Sequence, residues 1–107
     1  MSKELAAKRC DSFYDALPYR FVKIMFIDNN VFPGDDRLVK IMYRAYFGKD
    51  ADRDVAFLVE PKRDKMTITV DAMYKQTLDS RIVMNFSWQG FSARRVVNAI
   101  AAVTDGY

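Results

Sequence analysis

The sequence predicts an α+β domain of two layers: an antiparallel β-meander of about five strands with an N-terminal and a C-terminal helix packed on one face. Three observations predict it. Apolar residues recur with helical spacing near the two ends of the chain, they alternate with polar residues in short runs between, and Asp outnumbers Glu twelve to two. Asp suits turns and caps, whereas Glu suits helix interiors, so the imbalance argues for little helix and many turns.

The first element is a helix over Lys3 to Ala16, because Ala6, Cys10, Phe13 and Leu17 fall at i, i+4, i+7 and i+11, flanked by Leu5 and Tyr14. Ser2 is placed to cap it, and Pro18 biases Leu17 out of the helical region and stops it. Arg20 to Ile27 then alternates through Val22, Ile24 and Phe26, as Arg37 to Phe47 does through Val39, Ile41, Tyr43, Ala45 and Phe47. The turn residues Asp28-Asn29-Asn30 and Pro33-Gly34-Asp35-Asp36 separate these two strands, with the apolar Val31 and Phe32 between them. For 37–47 a helix stays open beside the strand, since Leu38, Ile41, Met42, Ala45 and Tyr46 also form a helical stripe. Val55 to Pro61, Lys65 to Lys75 and Arg81 to Trp88 continue the meander, the first two joined at Pro61-Lys62-Arg63-Asp64. A second helix opens after Phe91, with Ser92 as its cap, Phe91 stapled onto Val96, and Val96, Val97, Ile100 and Ala101 as its buried stripe. It is expected to end near Thr104, before Gly106. With 107 residues there is room for one core, so the whole of 1–107 is read as a single domain.

Several function classes are excluded by residue type. His is absent and Cys10 stands alone, which removes His-based catalysis, an intrachain disulfide and CxxC metal or redox motifs. None of the serines begins an S-x-x-K, and the glycines at 34, 48, 90 and 106 make no phosphate loop. Glu60 with Asp71 or Asp79 has nothing beyond its existence to favour a glycosidase pair, and Cys10 reads as a small buried hydrophobe. Asp50-Ala51-Asp52-Arg53-Asp54 has the start of a calcium-loop spacing, but Val55 stands where Gly is needed and Pro61 where a bidentate Glu is needed. A non-enzymatic chain with no cofactor and no metal is therefore expected. The longest apolar runs are too short or too interrupted to span a bilayer, and Met1-Ser2-Lys3-Glu4-Leu5 shows no secretory pattern, so a cytoplasmic chain without a membrane role is expected.

Net charge is only +3, and the one uncompensated basic block is 37–49, with Arg37, Lys40, Arg44 and Lys49. Val22-Lys23-Ile24-Met25-Phe26 recurs as Val39-Lys40-Ile41-Met42-Tyr43, which suggests pairing Ile24 with Ile41. That register sets Phe21, Lys23 and Met25 beside Arg44, Met42 and Lys40 on the uncovered face of the sheet, with Tyr46 at the end of the row. Lys23, Met25, Lys40, Met42, Arg44 and Tyr46 are thus the candidate partner-binding residues, because Met, aromatic and Arg side chains are enriched at protein interfaces. Arg94 and Arg95, in the first turn of the last helix, form a second basic site. The expected function is a small accessory, inhibitory or regulatory protein docking on a larger protein partner, with a homo-oligomer as a further expectation. The alternative is a sequence-tolerant nucleic-acid binder that uses the same face, Lys40 and Arg44 on phosphates and Tyr46 stacked on a base.

Overall fold

A computed structural model describes residues 3–15, 21–28, 38–47, 52–62 and 64–104, with the backbone alone for 3–7, 13, 23–28, 38 and 39. Helix α1 spans Lys3–Asp15, followed by strands β1 (Val22–Asp28), β2 (Leu38–Phe47), β3 (Arg53–Pro61), β4 (Lys65–Tyr74) and β5 (Thr77–Ser87), and helix α2 spans Ala93–Thr104. The chain is α+β, the class its residue pattern predicts. Strands β2 to β5 form an antiparallel sheet in chain order, and β1 runs antiparallel along the free side of β2. The readings at Ser2, Leu17 and Pro18, in the connection 29–36, at Asp50 and at Gly106 lie outside the described residues, as does the side chain of Phe13.

Alternation explains the sheet. In β2, Ile41 and Tyr43 are fully buried while Met42 and Arg44 between them are only partly so, a period of two that excludes the helical stripe for 38–47. The register carries this face across the sheet: Ile41 pairs with Val59 and Tyr43 with Phe57, which in turn pair with Ile68 and Val70. Met84 pairs with Ile68 and Phe86 with Met66, so the buried side chains of four strands share one side. Each such residue contributes about 1.5–3 kcal/mol by leaving water.

Both helices supply side chains to that side. Cys10 in α1 is buried, and the Tyr14 ring lies on Tyr43 at 4.6 Å between centroids with an interplanar angle of 9°. Tyr43 in turn stacks on Phe57 at 4.5 Å. The Tyr14 hydroxyl donates to the Phe21 carbonyl and accepts from the Phe21 N–H, both at 2.7 Å, which ties the end of α1 to the start of β1. The buried face of α1 therefore includes Tyr14, which the heptad-like spacing set beside the stripe. In α2, Val96, Ala99 and Ile100 are buried. Ser92 caps this helix, its Oγ accepting the Arg95 N–H at 3.3 Å. Phe91 meets Phe86 edge-on at 5.4 Å, and with Val96 and Cys10 it lines an apolar cavity of about 10 Å³. Trp88 packs at the rim of the core, where its indole N–H donates to the Lys62 carbonyl at 3.1 Å.

Two expectations require correction. The β1–β2 register is shifted by one from the Ile24–Ile41 pairing: Ile24 pairs with Met42, Met25 with Ile41, Lys23 with Tyr43 and Val22 with Arg44. A shift of one residue exchanges the faces. Phe21 accordingly joins the core, 8% exposed, and Val22 stands in solvent at 62%. The start of the last strand also moves. It begins at Thr77, because Lys75 (φ 48°) and Gln76 (φ 66°) reverse the chain in two residues. Two consecutive positive φ values make a type I′ hairpin turn, for which the usual signal is Asn-Gly, and neither residue is present here. Past the turn, Met73 pairs with Leu78 and Ala72 with Ser80, leaving Asp79 as the extra residue of a β-bulge.

Candidate functional site

The side of the sheet opposite the core carries four of the five large apolar residues exposed among the described residues: Val22, Tyr46, Leu78 and Val83. Their shared face follows from the pairing. Val22 lies opposite Arg44, which pairs with Ala56, and Ala56 pairs with Asp71. A second row runs from Met42 through Leu58 and Thr69 to Val83, and a third from Tyr46 through Asp54 and Met73 to Leu78. Adjacent members of a row stand one strand spacing apart, about 4.8 Å. Met42, Leu58 and Met73 are half-buried, so they bridge the exposed residues at the two sides of the sheet. The fifth exposed residue, Tyr74, belongs to the helix side, at its margin, with the Arg53 guanidinium 5.6 Å and the Lys75 amine 5.4 Å from its ring centre.

Two ion pairs lie on this face. Arg44 Nε lies 3.0 Å from Asp54 Oδ2, with side chains 27% and 8% exposed. This is an ion pair by distance, although the Nε–H is not aligned on the carboxylate for a hydrogen bond. The guanidinium also reaches the Met73 sulfur at 4.0 Å. Further across, Arg81 donates to both carboxylate oxygens of Asp71 at 2.7 and 3.1 Å. That hydrogen bonding and the Asp71 charge hold the guanidinium above its ordinary pKa. Thr67 and Asn85 close a neutral pair at 2.9 Å. Glu60 occupies the same face, opposite Thr67, so acids and bases interleave here.

Of the residues singled out from the sequence, Lys40, Met42, Arg44 and Tyr46 alternate in β2 on the side away from Ile41 and Tyr43. Tyr46 is the most exposed of the row at 57%, and Arg44 is committed to Asp54. Lys23 and Met25 hold register positions opposite Tyr43 and Ile41, not opposite Met42 and Arg44, and their side chains lie outside those described. Arg94 and Arg95 stand exposed in the first turn of α2, with the Arg95 guanidinium 4.8 Å from the Phe86 ring centre. Val22, Leu78 and Val83 were missed. For Val22 the signal was the register, and for Leu78 it was a strand start hidden by a turn without Gly or Asn.

Among the described residues, no three or more His, Cys, Asp or Glu converge on a possible metal position, and no helix is long and apolar enough to cross a membrane. Comparison with protein-family models, with curated proteins and with solved structures finds no match to this chain.

Proposed function

We propose that this chain is a non-enzymatic binding domain, an accessory, inhibitory or regulatory factor that docks on a larger protein through the uncovered face of its sheet. In this reading the meander of five strands is a platform, the N-terminal and C-terminal helices cover one side of it, and the other side is kept for the partner. The observation that carries it is the gathering of Val22, Tyr46, Leu78 and Val83 on one face, around the Arg44–Asp54 and Arg81–Asp71 ion pairs. Scattered exposed apolar residues need no explanation, but a face that collects them around half-buried Met42, Leu58 and Met73 favours an apolar contact. Tyr46 and Met42 are the anchors, Lys40 and Arg44 give the rim its charge, and Arg94 with Arg95 form a separate contact at the α2 end. Nucleic-acid binding gains no specific support, since Asp54, Glu60 and Asp71 share the face with Lys40 and Arg44.

The test is affinity capture from the source cells with the wild type, with Val22→Lys combined with Tyr46→Lys, and with Arg94→Glu combined with Arg95→Glu. A protein retained by the wild type but lost with the face variant supports the reading, and weakened retention by the helix variant supports the separate contact at Arg94 and Arg95. Recovery unchanged by the face variant refutes it. In parallel, single-stranded and duplex oligonucleotides are titrated at low and high salt; salt-sensitive binding abolished by Lys40→Glu with Arg44→Glu would transfer the face to nucleic acid.

A further inference from the structure

We propose that a second copy of this chain pairs with the outer edge of β5, antiparallel and about a two-fold axis at Val83, so that two sheets join into one. The two sides of the sheet are treated differently. At the β1 side, the Tyr14 hydroxyl takes both the N–H and the carbonyl of Phe21 at 2.7 Å, which occupies the backbone groups of the residue just before the strand. At the other side, β5 is the last strand and, among the described residues, no strand pairs with its outer edge. It is also 11 residues long. An unpaired edge of that length is a template for another strand unless Pro, Lys, a bulge or a cover protects it.

Thr77–Ser87 holds no Pro, Gly or Lys, and its two charges, Asp79 and Arg81, cancel. The bulge at Asp79 lies near the start of the strand and leaves 80–87 regular. The residues of this stretch match themselves when the strand is reversed. A two-fold axis normal to the sheet keeps each face on its own side, so it lies midway between one residue and its own copy, and each residue then meets one of equal parity. An axis at Arg81 would set two guanidinium groups against each other. An axis at Val83 sets valine against valine, Ile82 against Met84, and Arg81 against Asn85, with no like charges opposed. Val83 is 55% exposed, which leaves this contact uncovered in the single chain. The pairing uses the backbone edge of β5 and shares Val83 with the docking face, and it continues the Met42, Leu58, Thr69, Val83 row into the second copy.

Sedimentation velocity over a concentration series, with amide hydrogen exchange on the same samples, tests this. The wild type is expected to dimerise, with exchange at 80–87 slowing as concentration rises. Val83→Lys and Val83→Asp, at a solvent-exposed position, should each weaken self-association roughly tenfold or more. Mixing the two variants should restore the dimer, because Lys then faces Asp across the axis. Tyr46→Lys, on the same face but in β2 and away from the β5 edge, should leave association unchanged while testing docking, so the two proposals can fail separately. A wild type that stays monomeric, Val83 variants that dimerise like the wild type, a mixture that does not recover, or dissociation by Tyr46→Lys would each overturn the edge pairing.

Discussion

Tyr43 is the most constrained residue of the fold. It is fully buried, stacked between Tyr14 and Phe57, and its hydroxyl donates to Asp11 Oδ1 at 3.3 Å. Burial, reinforced by the Asp11 charge, pushes its ionisation well above the ordinary tyrosine range. The folded chain therefore keeps this proton at pH values where the unfolded chain has lost it. The resulting stabilisation is complete below about pH 10 and falls as pH rises above it, toward the raised folded value. Urea midpoints for wild type and Tyr43→Phe at neutral pH and at about pH 11 measure this, and the variant is expected to lose less stability at the higher pH. Cys10 supplies a second residue-scale prediction. Its side chain lines the small apolar cavity between the helices and the sheet. Cys10→Ser places a hydroxyl there and should cost about 1–3 kcal/mol in denaturant unfolding, whereas Cys10→Ala should cost less.

At the scale of elements, legibility in the sequence followed the strength of the local signal. Two-fold alternation marked β2, where Ile41 and Tyr43 take the core, and Phe91-Ser92 marked the start of α2. The register of β1 on β2 was not legible. The repeated Val-Lys-Ile-Met motif suggested matching like with like, but register depends on the whole set of buried positions, and Phe21 entering the core moves every pair by one. That shift also decides the site: it separates Lys23 and Met25 from the Lys40, Met42, Arg44 row and brings Val22 to it. The ion pair of Arg44 with Asp54 was hidden for a related reason, since the strand was expected to begin at Val55 and β3 instead includes Asp54. The β4–β5 turn was missed because Lys75 and Gln76 adopt positive φ without the residues that favour it. Lys75→Asn with Gln76→Gly should relieve this cost and raise stability by about 1 kcal/mol, read from thermal or urea unfolding. An unchanged or lowered midpoint would argue that the native side chains compensate, through contacts such as Lys75 on the Tyr74 ring.

At the scale of the whole molecule, the two faces of the sheet differ. One builds the core with α1 and α2, and the other carries the Arg44–Asp54 and Arg81–Asp71 pairs and leaves Val22, Tyr46, Leu78 and Val83 in solvent. Stability and binding should therefore separate. Tyr46→Ala and Leu78→Ala are expected to change unfolding free energy by less than about 1 kcal/mol, while Ile41→Ala should cost about 2–5 kcal/mol. Binding to a captured partner should show the reverse order. Hydroxyl-radical footprinting of the chain alone and in complex with that partner reads the occupied surface directly, with Tyr46 and Tyr74 as exposed reporters on opposite sides of the sheet. Docking on the uncovered face predicts that Tyr46 and Met42 lose reactivity on binding while Tyr74 keeps it. Protection of Tyr74 with Tyr46 unchanged would contradict the assignment of that face.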